Sequence, residues 1–283
     1  MSIAPLPTIM IESVVRAALL EDLGRAGDIT TDAVAPADAR ARTALVARQP
    51  GVLAGLDLAL LAFRLIDASI AVEVQRRDGS SLAPGDIIAT VAGSARGILT
   101  AERVALNFLC HLSGIATATA AIVEAVRGHQ ARITCTRKTM PGLRALQKYA
   151  LRVGGGANHR FGLDDGVLIK DNHIAVAGSI AAAVQRARAA IGHLVKVEVE
   201  VDTLEQLEQA LAARVDAVLL DNMSTDDLRQ AVSIVAGRAI TEASGRITPA
   251  TAPAVAATGV DLISIGWLTH SVTTLDIGLD YLA

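Results

Sequence analysis

The spacing of apolar residues changes character partway along the chain. Near the start, TIMIESVVRAALLEDLG sets Ile11, Val14, Val15, Ala18 and Leu19 at helical intervals and stops at Gly24, which predicts a helix. ARTALVARQPGVLAG and IAVEVQRRDGSSLAPGDIIATVAGSA read as short strands separated by Gly/Pro turns. Residues 98–128, ILTAERVALNFLCHLSGIATATAAIVEAVRG, read as one or two helices with a break at Gly114. Antiparallel strands with helices make this first third an α+β unit.

From about residue 130, short apolar runs alternate with helical stretches. Strands are expected at 132–136, 166–170, 195–200, 216–221, 239–244 and 262–266, with helices at roughly 141–152, 179–191, 203–213, 224–236 and 249–258. Alternating β and α segments imply a parallel sheet. Strands this numerous with short loops favour an α/β barrel or near-barrel. The boundary between the two units falls near the helix at 100–128.

Composition adds exclusions. Of 283 residues 52% are hydrophobic and only 2% aromatic, so the core is built from Ala, Val, Leu and Ile. A net charge of −3 argues against nucleic acid as partner. No uncharged apolar run reaches 18 residues, and MSIAPLPTIMIESVV lacks a basic n-region, so neither a membrane span nor a secretory signal is expected. Cys110 and Cys135 form no C-x-x-C, which fits a reducing cytoplasm.

In a β/α barrel the active site forms at the C-terminal strand ends. Here those ends carry Arg137 and Lys138, then Lys170, Glu200, Asp221, the EASGR stretch and Gly266. In VKVEVEVD, alternation puts Val195, Val197, Val199 and Val201 on one face and Lys196, Glu198 and Glu200 on the other. Glu200 is expected to point into the site, with Lys196 and Glu198 paired beneath it, since buried charge must be paired or used. Arg137, Lys138, His159, Arg160 and Lys170 gather around two strand ends and call for an anion; His159 and Arg160 follow the glycine-rich GGGAN. Ser244, Gly245 and Arg246 could offer backbone N–H groups to a phosphate beside a following helix start. Glu200 and Asp221 could hold sugar hydroxyls or Mg²⁺. His159 and His173 lack H-E-x-x-H spacing, and Ser113, Ser244 and Ser271 lack a G-x-S-x-G context.

Long stretches of this sequence are similar to one known family: EDLGRAGDITTDAV, AERVALNFL, TRKTMPGLRALQKYA, GGGANHRFGLDDGVLIKDNHI, VEVEVDTLEQL, LLDNMS, EASGRI and GVDLISIGWLTHS. Together they span nearly the whole chain and resemble the quinolinate phosphoribosyltransferases (nicotinate-nucleotide diphosphorylase, carboxylating), type II phosphoribosyltransferases of NAD biosynthesis. The resemblance implies an N-terminal α/β sandwich, residues 1–112 joined by 272–283, and an incomplete α/β barrel of parallel strands, 113–271. It implies a dimer or hexamer in which Arg103 is donated across the interface. Thr136, Arg137, Lys138, His159, Arg160 and Lys170 would line the quinolinate and phosphate pocket. Glu200 and Asp221 would face ribose hydroxyls and Mg²⁺, and Ser244, Gly245, Arg246, Ile265, Gly266 and Trp267 would cradle the 5′-phosphate. Four positions depart from the family pattern: Arg246 stands where Gly or Asn is usual, Trp267 where a small residue is usual, and Cys110-His111 where Gln-Arg is common.

The implied reaction joins quinolinate and phosphoribosyl pyrophosphate to give nicotinate mononucleotide, CO₂ and pyrophosphate. Lys138, Lys170, Glu200 and Asp221 would be its catalytic residues. Two other readings share the barrel: the phosphoribosyltransferase-like protein of molybdate-transport operons, against which LIKDNHI speaks, and a non-catalytic phosphosugar-binding module, against which Glu200 and Asp221 speak.

Overall fold

A computed structural model describes residues 3–282. The chain begins with α1 (Thr8–Leu23), α2 (Ile29–Val34), β1 (Arg40–Ala47), β2 (Gly51–Val52), α3 (Leu56–Ile66), β3 (Ala71–Val74), β4 (Ser81–Leu82), β5 (Ile87–Ser94) and α4 (Ala95–Ala125). Next come β6 (Arg132–Thr134), α5 (Arg144–Val153), β7 (Val167–Ile169), α6 (Asp171–Ala177), α7 (Ile180–Ala190), β8 (Val197–Val201) and α8 (Leu204–Ala212). It closes with β9 (Ala217–Asp221), α9 (Thr225–Val235), β10 (Ile240–Ser244), α10 (Ala252–Ala256), β11 (Leu262–Ser264), a 3-10 turn (Trp267–Thr269) and β12 (Ile277–Tyr281). Two compact units are present: one combines residues up to Ala120, Met140–Gly154 and Ser271 onward, the other Ala121–Thr139 and Gly155–His270. The expected boundary at 112/113 falls inside α4, and Met140–Gly154 packs with the first unit.

In the first unit an antiparallel sheet runs β12-β1-β5-β3. The chain's last strand lies against β1, with Ala47 opposite Ile277 and Thr43 opposite Tyr281. Of the five residues its spacing singles out, helix α1 buries Ile11, Val15 and Leu19, while Val14 and Ala18 are half-buried. Helix α3 begins after Gly55, whose φ of +91° suits glycine. Its first N–H groups are capped from outside by Asp78, which accepts from Gly55 N (2.8 Å), Leu56 N (3.1 Å) and Tyr149 Oη (2.8 Å). Burial outweighs these hydrogen bonds and raises the Asp78 carboxyl above its ordinary value.

Helix α4 is continuous through Gly114, contrary to the expected break. Glycine is required there by approach rather than by bending: a Cβ at 114 would stand 2.3 Å from the carbonyl oxygen of Thr273. Ser113 beside it is fully buried and bonds both ends of one peptide position, accepting from Ala54 N (3.0 Å) and donating to Ala54 O (3.1 Å). By length and composition α4 could cross a membrane, but half of its most apolar window is covered by protein.

In the second unit six parallel strands run β6-β11-β10-β9-β8-β7. β6 and β7 are the ends of the ladder, and Ala157 bridges the outer side of β6 at Thr134. Helix starts are set by side-chain caps: Ser179 accepts from Ala182 N, Thr203 from Gln206 N and Ser224 from Asp227 N. Three boundaries differ from expectation. α5 starts at Arg144 rather than behind Pro141, because Gly142 at φ +79° turns the chain first and Gln147 Oε1 takes the Met140 N–H (2.9 Å). DNHIAVA is a short helix rather than a loop, its start fixed by His173 Nδ1 accepting from Lys170 N (2.9 Å). α10 begins at Ala252, so no helix start directly follows the SGR turn.

Candidate active site

Residues two apart on a strand face the same side. Val197, Val199, Val201, Val218, Leu220, Ala243 and Ile263 point one way and are at most 1% exposed. Their alternates point the other way and build a pocket of about 410 Å³ at the C-terminal strand ends. Leu168 with Lys170, Leu219 with Asp221, and Glu242 with Ser244 each contribute two successive layers, joined by Glu200, Ser264 and Thr136. Arg137, Lys138, His159 and Arg160 complete the lining from the loops after β6 and before β7.

The TRK turn is anchored. Lys138 N donates to Thr136 Oγ1 (2.9 Å), and Thr269 Oγ1 donates to Lys138 O (2.7 Å). Gly266 lies against this turn, where a Cβ would come within 2.8 Å of Lys138 Cδ. Arg160 donates to Gly166 O (3.0 Å); partial burial, then the like charge of Arg137, lower its guanidinium from the ordinary value. Lys170 forms an ion pair with Glu200. Asp221 accepts from Asn222 Nδ2 (2.6 Å).

Beneath the cations lies a dry acidic floor. Glu198 and Glu242 are 8% and 1% exposed. His159 Nε2 is 2.9 Å from Glu198 Oε2 and 3.6 Å from Glu242 Oε1. His159 Nδ1 accepts the Arg160 N–H at 2.7 Å, which leaves Nε2 as the ring nitrogen that faces the two acids. Desolvation first, then the charge of Glu198, raise Glu242 to about 7. His159, Glu198 and Glu242 bring metal-ligand atoms within 4.8 Å of one another, but a proton on Glu242 already relieves the repulsion a cation would relieve. Among the described residues, the two buried side-chain polar atoms without a hydrogen-bond partner are Arg137 Nε and Glu242 Oε1, both in this pocket. Unsatisfied buried groups are rare and concentrate where a ligand completes them.

Of the residues expected from sequence, Thr136, Arg137, Lys138, His159, Arg160, Lys170, Glu200, Asp221 and Ser244 line this one cavity. Gly245 sits at φ +109° against Asn222, and Ile265 is buried, donating from its N to Thr134 O (3.0 Å). Arg246 is exposed at φ +46°, and Trp267 turns its Nε1 to Ile247 O (2.9 Å); neither lines the cavity. Arg103 is exposed on α4 in the first unit. Lys196 does not pair with Glu198: it bonds Asp216 (3.0 Å), while Glu198 bonds His159. Sequence reasoning missed Glu242 and Ser264. The signal for Glu242 was its place two residues before Ser244 on the same strand.

Glu200 and Asp221 supply carboxylate oxygens from neighbouring strands to one cavity. Hard oxygen donors left open for substrate phosphates suit Mg²⁺, provided Glu200 releases Lys170.

Two family models divide the chain: Quinolinate phosphoribosyl transferase, N-terminal domain, matches residues 28–113, and the C-terminal domain matches 115–280. The nicotinate-nucleotide pyrophosphorylase [carboxylating] of Mycobacterium leprae is 50% identical over 274 residues, covering 94% of this chain and 95% of that protein. The probable enzyme of the same name from Bacillus subtilis is 46% identical, covering 92% and 90%. The crystal structure of NadC from Streptococcus pyogenes superposes with a TM-score of 0.95 at 44% identity, covering 99% of this chain and 100% of that one.

Proposed function

The chain belongs to the quinolinate phosphoribosyltransferase family, and we propose that the pocket at the ends of its parallel strands is where it performs that family's reaction. The enzyme transfers phosphoribosyl from phosphoribosyl pyrophosphate to quinolinate with decarboxylation, giving nicotinate mononucleotide, CO₂ and pyrophosphate for NAD biosynthesis. The observation that carries the site assignment is the cation-lined cavity with the buried, unpartnered Nε of Arg137.

In this reading Arg137 and Arg160 hold the carboxylates of quinolinate, since a guanidinium fork matches a carboxylate bidentately. The pyridine nitrogen carries its own lone pair, so no general base is needed for its attack on the ribose C1. Lys138 and Lys170 stabilise charge developing on the departing pyrophosphate, and positioning supplies much of the remainder. Glu200 and Asp221 orient the ribose hydroxyls, and their carboxylate oxygens would hold Mg²⁺. The ion when bound adds further neutralisation of the leaving group. Ser244 receives the 5′-phosphate, beside Gly245 and Gly266, whose missing Cβ atoms let Asn222 and Lys138 approach.

We place Arg103 in a neighbouring subunit's site, in the dimer or larger assembly that the resemblance implies: it is exposed on α4. The cytoplasm is the proposed location; both cysteines are free. Release of CO₂ and nicotinate mononucleotide, measured with Mg²⁺ and with chelator, tests the scheme. Lys138→Ala should lower kcat by roughly 10²–10³, as loss of one preorganised electrostatic contact does, while the protein melts as before. Near-normal turnover by Lys138→Ala, or full activity under chelator, would remove the corresponding assignment.

A further inference from the structure

The reaction leaves one requirement that the residues above do not meet. When the C2 carboxylate departs as CO₂, the electron pair of the broken C–C bond stays on C2 beside the ring nitrogen. A proton must then be delivered to C2. Lys138 and Lys170 are committed to pyrophosphate, and the guanidinium of an arginine does not give up a proton at neutral pH. His159 has its Nε2 directed at Glu198 and its Nδ1 accepting from backbone.

We propose that Glu242 is the proton donor to C2: a buried carboxylic acid in the pocket floor, with Oε1 lacking any hydrogen-bond partner, that transfers its proton to the carbanion left by decarboxylation. The proposal rests on the pocket assignment made above. In the step, the C2–carboxylate bond breaks, CO₂ leaves, the pair on C2 takes the proton from the Glu242 carboxyl, and a C2–H bond forms. Glu242 is left as a carboxylate and regains a proton from water before the next turnover.

The surroundings keep this acid protonated. Burial removes the solvation a carboxylate needs, and Glu198 sets a negative charge beside it. His159, 3.6 Å away, opposes this, and so does a hydrogen bond from Ser264. The other charged groups sharing the cavity are Glu200 from β8, Asp221 from β9, Arg137 and Lys138 after β6, and Arg160 and Lys170 flanking β7. A carboxylic acid held neutral by a dry site can act as a donor at pH 7. The sign follows: the donor must carry its proton, so the rate falls as pH rises through about 7.

The test is Glu242→Gln, which keeps size and a hydrogen-bonding amide but has no acidic proton. Melting and quinolinate titration establish that it folds and binds. In single turnovers with quinolinate and phosphoribosyl pyrophosphate, we expect pyrophosphate to appear as in the wild type. Nicotinate mononucleotide formation should be slowed by about 10²–10⁴, the contribution of a positioned acid, with quinolinate mononucleotide accumulating. The wild-type single-turnover rate should decline above pH about 7, and Glu242→Asp should recover part of it. Three results overturn the proposal: wild-type nicotinate mononucleotide formation by Glu242→Gln, equal loss of pyrophosphate release, or a wild-type rate flat across the same pH range. Failure of the pocket assignment looks different, because quinolinate would then bind Arg137→Ala as tightly as the wild type.

Discussion

Gly245 joins the phosphate end of the site to its acidic wall, and alanine there should damage both stability and substrate binding. Its φ of +109° lies where L side chains rarely go, and holding a non-glycine residue there costs about 1–3 kcal/mol. A Cβ would also meet Asn222, at 2.3 Å from Oδ1, 2.7 Å from Cγ and 2.9 Å from the backbone N. The carboxamide can swing away only by giving up its 2.6 Å bond to Asp221, a loss of roughly 1–3 kcal/mol for a charged acceptor. The backbone contact has less freedom, because Asn222 N is held by Ser244 O at 2.9 Å. Strain and the lost bond together come to about 2–6 kcal/mol. Gly245→Ala should therefore melt several degrees lower and show a raised KM for phosphoribosyl pyrophosphate, since Asp221 loses the group that orients it. Asn222→Gly removes the clashing carboxamide, so Gly245→Ala should cost less in that background. If Gly245→Ala melts with the wild type and keeps its KM, or costs the same in both backgrounds, the steric argument is wrong.

Two further outcomes concern the first unit. Asp78→Ala removes the acceptor of two N–H groups at the start of α3 and of the Tyr149 hydroxyl, so chemical denaturation should show a loss of about 2–4 kcal/mol; a change below about 1 kcal/mol would mean that water replaces the carboxylate. If Arg103 acts in a neighbouring subunit's site, Arg103→Ala and Lys138→Ala should each be nearly inactive alone but regain activity when mixed and allowed to exchange subunits, and no recovery would return Arg103 to its own chain.

What was legible in the sequence was whatever one strand or one helix decides by itself. The alternation of Val197, Val199 and Val201 with Glu198 and Glu200 fixed which face is buried under helices and which meets the pocket. The helix starts expected near 179, 203 and 224 fall within one residue of α7, α8 and α9, which the structure shows to be capped by Ser179, Thr203 and Ser224. Errors arose where a second element decides. Lys196 was assigned the wrong partner because Asp216 reaches it only through the β8–β9 register, in which Val197 N also donates to Asp216 (2.9 Å). Gly114 looked like a break because its neighbour across space, Thr273, lies far along the chain. α3 was unread although Asp57 and Arg64, seven residues apart in LDLALLAFRLI, mark one exposed face opposite its buried side.

Glu242 belongs to this second class and shows what the sequence withholds. In ITEAS it is one polar residue among others, and nothing local says that it is buried. Its environment is assembled from β8, β10, β11 and the loop carrying His159, none of which predicts the others. A lone acid on a barrel's inner face would be costly if ionised. The fold sets a second acid, Glu198, beside it, hydrogen-bonded to His159, and their repulsion together with burial raises Glu242. Four cations above attract the anionic substrate, and one neutral acid below holds a proton where the cations supply none. Removing Glu198 separates these roles: Glu198→Gln should lower the pH at which Glu242 ionises, and with it the alkaline limb of the single-turnover rate. An unmoved limb would show that Glu198 does not govern the proton on Glu242.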